Sequence, residues 1–115
     1  MKLKEVQEIL KAKVITSVTG WEDIEVKSAC GCDLMSDVLA YVKDQTALLT
    51  GLVNPQVVRT AMMMDMRCII FVRGKCPTPE MIALAEEGRI VLLSTKLRMY
   101  EACGRLYVSH LAGGV

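Results

Sequence analysis

Between Ser28 and Gly74 the chain switches repeatedly from short apolar runs to segments with helical spacing. The clearest runs are Ala47-Leu48-Leu49 and Cys68-Ile69-Ile70-Phe71-Val72, and each stops at a turn, Thr50-Gly51 and Arg73-Gly74. Runs this short and this apolar suit strands buried on both faces better than helices. Between them stands Asn54-Pro55. Asparagine accepts from the free amides of a first helical turn, and proline, which has no N–H to lose, fits the first helical position. Strands that alternate with helices return in parallel. The predicted fold class is therefore α/β: three layers, α/β/α, around a mostly parallel or mixed central sheet of about five strands.

The remaining segments fit the same plan. Leu3, Val6, Ile9 and Leu10 recur at helical spacing, which predicts an amphipathic helix over residues 2–11. Val14-Ile15 is a short strand, and Ile24 to Ala29 a second one. Asp33 or Ser36 then caps a helix that turns Met35, Val38, Leu39 and Val42 inward. The helix opened by Asn54 runs to about Met66. Thr78-Pro79-Glu80 repeats the cap-then-proline signal, and Gly88 closes that helix. Ile90 to Leu93 is the last strand. Ser94 or Thr95 caps a final helix with Leu97, Tyr100, Gly104, Tyr107 and Leu111 along one face. No linker or repeat interrupts the pattern, so residues 1–115 are read as one domain, large enough to hide roughly two-thirds of its unfolded surface without a metal or disulfide.

Hydrophobic residues make up 52% of the chain but aromatic ones only 4%, which suits a buried sheet and also a subunit interface. The formal charge is +1 with no basic stripe. Nonspecific nucleic-acid binding needs several phosphates neutralised together, so no nucleic-acid partner is expected, and no anionic membrane either. The first residues, Met-Lys-Leu-Lys-Glu-Val-Gln-Glu, are too charged for a signal-peptide core. The apolar stretch from Ala61 to Val72 is broken by Asp65 and Arg67 and is too short to cross a bilayer. The expected location is cytoplasmic. Five cysteines cannot all pair, so they are read as free thiols of a reducing compartment.

Few residues carry chemistry. Cys30-Gly31-Cys32 places two thiols one residue apart, and Cys76 or Cys103 would extend the set if the fold brought them close. Zinc and iron–sulfur sites usually use four ligands with wider spacing, so small packed residues are the default reading and Cys30, Cys32 and Cys76 the low-priority metal or redox candidates. Met62, Met63, Met64 and Met66 point several ways on a helix and are read as packing. His110, the only histidine, has no nucleophile to serve. Loops after parallel strands form the usual binding edge of such a sheet. The candidate ligand residues lie there: Asp33, Ser36 and Asp37, then Thr50, Gly51 and Asn54, and finally Arg73, Gly74 and Lys75. Arg73 and Lys75 suit a phosphate, although the chain has neither a phosphate-loop lysine motif nor a dinucleotide glycine fingerprint. No acid, base and nucleophile converge, so neither catalysis nor a cofactor is expected.

Taken in order, several segments resemble the DRTGG domain over nearly the whole chain. They are the opening Met-Lys-Leu-Lys-Glu helix, Cys32 through Ala40, Ala47 through Gly51, Asn54-Pro55, Ile69 through Gly74, and Leu92 through Thr95 leading to Tyr100-Glu101. The resemblance implies a three-layer domain similar to the N-terminal domain of HPr kinase/phosphorylase and to the uridine-binding domain of muramoyl-peptide ligases. It also implies a dimerising or regulatory part, which in relatives accompanies CBS pairs of pyrophosphatases or phosphotransacetylase. Stand-alone copies accompany hydrogenase-related proteins of anaerobes, which implies a protein partner in such a redox system.

The leading expectation is a non-enzymatic, homodimeric regulatory or scaffold module, with a ligand sensed at the strand ends. One alternative is a binding module for a nucleotide or phosphorylated metabolite. A second is a thiol or metal protein using Cys30, Cys32 and Cys76.

Overall fold

In the computed structural model, residues 1–42 and 45–113 are described, and every statement below concerns them. The helices are α1 (Leu3–Leu10), α2 (Met35–Tyr41), α3 (Pro55–Met63), α4 (Pro79–Glu87) and α5 (Met99–Val108). The strands are β1 (Lys13–Val14), β2 (Ser28–Gly31), β3 (Thr46–Thr50), β4 (Cys68–Phe71), β5 (Val91–Ser94) and β6 (Ala112–Gly113). They form one sheet in the order β1-β5-β4-β3-β2-β6, in which only the β1–β5 pair is antiparallel. The mostly parallel α/β/α arrangement is as expected, with six strands where about five were predicted.

Side-chain alternation along the strands builds two cores. Ala47, Leu49, Ile70 and Leu93 point to one face, where they meet Leu3, Val6 and Leu10 of α1 and Ala102 and Leu106 of α5. Leu48, Ile69, Phe71 and Leu92 point to the other, where they meet Val38 of α2, Val57 and Ala61 of α3, and Met81 and Ala85 of α4. β3 and β4 are fully buried, as continuous apolar strands covered on both faces must be. Helices α2, α3 and α4 link β2 to β5 stepwise across the sheet. Helix α5 then returns along the opposite face to place β6 beside β2.

The two cap-then-proline signals hold. Asn54 Oδ1 accepts from Gln56 N at 2.8 Å, and Thr78 Oγ1 accepts from Met81 N at 3.3 Å. Several boundaries differ from expectation. The second strand begins at Ser28, not Ile24, because Glu25 and Val26 bond to the chain start instead: Val26 N donates to Met1 O, and Lys2 bridges Glu25. The residue at the cap position of α2 is Leu34, not Asp33 or Ser36, and Leu39 is 40% exposed, not buried. Asp33 has turned back to the sheet. Helix α5 starts after Arg98, because Thr95 Oγ1 is spent on Leu10 O and Leu97 N, and Ser94 Oγ on Lys75 O. Its inward face is Ala102 and Leu106, while Tyr100 and Tyr107 of the predicted apolar face point to solvent. No helix among the described residues is long and apolar enough to cross a membrane.

Candidate functional site

The parallel strands end together at one edge of the sheet. Three adjacent ones, β2, β3 and β4, deliver Asp33, Thr50-Gly51 and Arg73 to the same place. Thr50 Oγ1 donates to Asp33 Oδ1 at 2.8 Å, and Gly51 N donates to the same oxygen at 2.8 Å. Thr50 Oγ1 also accepts from Leu52 N at 3.1 Å, which closes a tight turn after β3. From the other side, the Arg73 guanidinium lies so close over Gly51 that a Cβ there would overlap it. Asp33 and Arg73 thus follow the two neighbours of β3 and both reach Gly51 at its end.

The backbone of β4 aims the arginine. Arg73 has φ +59° and Gly74 φ +69°, and Lys75 N donates to Val72 O at 3.1 Å. Consecutive left-handed residues closed in this way make a turn of the I′ kind, uncommon for a non-glycine residue such as Arg73. Two bonds to the segment ahead of α5 hold it: Arg73 N to Leu97 O at 2.7 Å and Gly74 N to Thr95 O at 2.9 Å. The Gly51 amide holds the Asp33 carboxyl below the ordinary aspartate value of 3.8; slight burial opposes this, and the Thr50 hydroxyl and Arg73 charge add to it.

Of the nine candidate ligand residues, this cluster unites Asp33, Thr50, Gly51 and Arg73, with Gly74 completing the turn behind them. Ser36 and Asp37 are exposed on the first turn of α2, Asn54 caps α3, and Lys75 is exposed with its carbonyl taken by Ser94. The sequence offers Asp33 or Ser36 as a helix cap and does not reveal the Asp33–Thr50 bond. Its signal was the placement of Thr50 at the end of one strand and of Asp33 just past another that ends at the same edge.

The thiols are dispersed by comparison. Cys76 is exposed near Gly74 O, in the loop after β4, whereas Cys30 and Cys32 belong to β2 and the segment that follows it. Cys103 of α5 lies against Gly31, where a Cβ would come within 2.7 Å of its Sγ and 3.0 Å of Met99 Sδ. Burial pushes the Cys30 and Cys103 thiols up, away from thiolate, with the neighbouring thiols adding to the effect at Cys30. Among the described residues, no group of three or more His, Cys, Asp or Glu side chains could hold a metal ion.

A second feature lies on the other side of β2. A groove of about 850 Å³ runs between α5 and the β2–β6 edge, floored by Ala29, Gly31 and Leu49 and walled by Tyr107, Val108 and Leu111. None of Asp33, Thr50, Gly51 or Arg73 lines it. Beside it, Tyr100 is 93% exposed and Tyr107 and Val108 are each 73% exposed.

A profile of the DRTGG domain matches residues 5–108. The chain belongs to the DRTGG domain family. No curated protein sequence matches it. Among solved structures, the DRTGG domain is similar to the CBS and DRTGG domains of the regulatory region of Clostridium perfringens pyrophosphatase, crystallised with its activator, diadenosine tetraphosphate. The two share 15% identity and a TM-score of 0.70 over 96% of this chain. That likeness concerns the fold. The matched part is 47% of the pyrophosphatase fragment, so this chain spans about half its length.

Proposed function

We propose that this DRTGG domain is a non-enzymatic regulatory or scaffold module that works as a homodimer in the cytoplasm and senses a ligand at its strand C-terminal edge. The observation that carries the pairing is the solvent-facing side of α5. Tyr100, Tyr107 and Val108 are exposed in a row beside an apolar groove, on a helix whose inward side is already packed. Large exposed apolar patches of this kind mark association surfaces, and tyrosine is favoured at them because its ring buries area while its hydroxyl stays wet. A second copy of the chain is the occupant, with α5 meeting α5. The family supports a regulatory role, since a similar structure belongs to an enzyme's regulatory region. A partner from an anaerobic redox or hydrogenase-related system is the protein such a module would regulate. Size-exclusion chromatography with light scattering tests the pairing: twice the mass of 12.7 kDa is expected, and a strict monomer at micromolar concentration refutes it.

The strand-edge cluster favours a companion reading, in which the module binds a nucleotide or other phosphorylated metabolite. Arg73 is the cation, and the Thr50 hydroxyl and Gly51 amide are donors already aimed at an anionic oxygen. Thermal-shift measurements across a nucleotide panel test it. A ligand at a hundredfold its Kd stabilises by about 2.7 kcal/mol, and a flat panel removes the reading.

A further inference from the structure

The donors at the end of β3 are already occupied, and by the protein itself. One oxygen of Asp33 takes both the Thr50 hydroxyl and the Gly51 amide, with the Arg73 guanidinium alongside. A backbone amide and a hydroxyl on one anionic oxygen, with a guanidinium packed over the same glycine, are the groups from which a phosphoryl site is built. We propose that the Asp33 carboxylate is an internal stand-in for a ligand's phosphoryl group, a latch that such a ligand must displace. The inference rests on reading this edge as the ligand-sensing face.

The two sides of the contact differ in firmness. Thr50 and Gly51 are fixed at the end of a fully buried strand, and Arg73 is held in its left-handed turn by bonds to Leu97 and Thr95. Left-handed backbone at a non-glycine residue is costly and persists where surrounding structure imposes it, often at ligand sites. Asp33 instead lies on the short exposed segment between β2 and α2; the last backbone bond from this segment to the sheet is Cys32 N to Leu49 O at 3.0 Å, and Cys32 Sγ and Leu34 bond each other. The donors stay and the carboxylate can leave. A phosphoryl group bears more charge than a carboxylate and more acceptor oxygens, so it competes well for these two donors and can reach the guanidinium as well. It cannot enter while Asp33 remains, because two anions would share one set of donors.

The test uses inorganic pyrophosphate, with ATP in parallel to separate the phosphoryl group from a nucleoside contribution. Gly51 is followed through its amide resonance, and Asp33 through its side-chain carboxyl carbon. In the wild-type protein, pyrophosphate is expected to shift both, as Asp33 loses its donors. Asp33→Asn keeps an acceptor oxygen for the fold but removes the competing charge, so pyrophosphate is expected to bind about tenfold tighter or better. Gly51→Ala pushes the flexible arginine tip aside and is expected to abolish binding. ATP binding that follows the same order, with added affinity, places a nucleoside beyond the phosphoryl site. Equal affinity of the wild-type and Asp33→Asn proteins overturns the latch while leaving a ligand site standing. No shift at Gly51 in the wild-type or Asp33→Asn protein with either probe overturns the phosphoryl assignment itself, and leaves the pairing through α5 untouched.

Discussion

The aspartate at the β2–α2 junction shows how one side chain acquires a role its neighbours in sequence do not reveal. Asp33 stands where a carboxylate before a helix ordinarily caps it, and that much is legible from Cys32-Asp33-Leu34-Met35 alone. What redirects it is strand order: β3 lies beside β2, so Thr50 and Gly51 present their donors within reach. No local pattern encodes which strand lies next to which. Because its folded carboxyl titrates below the ordinary 3.8, Asp33 stabilises the fold once pH is above the unfolded value. That contribution is lost as pH falls through the folded value. Acid unfolding followed by circular dichroism should therefore show a shallower dependence on pH below about 4 in Asp33→Asn than in wild type, and identical slopes would contradict this. Cysteine reactivity is a second test at this scale. Cys76 is exposed, whereas Cys68 is completely enclosed and its thiol pushed up by burial. Timed alkylation with mass spectrometry should label Cys76 first and Cys68 only as the whole protein opens, and early labelling of Cys68 would contradict that burial.

At the level of elements, legibility followed burial. β3 and β4 were readable because a strand covered on both faces has to be apolar throughout. β2 was misplaced because Ile24 and Val26 alternate like a strand, yet their backbone turns to the N-terminus. β6 was missed because Ala112-Gly113 has no strand character of its own; its pairing with Ser28 and Ala29 is imposed by the return of α5. For α5 the stripe of large residues was visible, but which side packs was decided by size. Small Ala102 and Cys103 let the helix approach β2 at Gly31, where the large tyrosines would not fit. Gly31→Ala tests that closeness. An added Cβ would collide with Cys103 Sγ and crowd Met99 Sδ, so a loss of about 1–3 kcal/mol in chemical denaturation is expected, as for other overpacked contacts. An unchanged midpoint would mean that the helix has room to spare.

For the whole molecule, the two cores are each closed by their own helices, and the most exposed large side chains, Tyr100, Tyr107 and Val108, lie on the outer side of α5. Tyr107→Glu would place a charge in the centre of the proposed contact. A central aromatic anchor is commonly worth about 2 kcal/mol or more, so the dimer dissociation constant should rise by at least about thirtyfold. Light scattering would read the change in mass, and the thermal midpoint of the monomer should barely move, since the side chain is already in solvent. A dimer of undiminished strength would send the search to another face, with exposed Met62 and Met63 of α3 the next surface to alter. The turn that aims Arg73 is tied by two backbone bonds to Thr95 and Leu97, the lead-in to this same helix. Were a ligand to bind beside Arg73 and two copies to pair through α5, both events would bear on this one segment. Any influence of one on the other would then have to run equally in both directions.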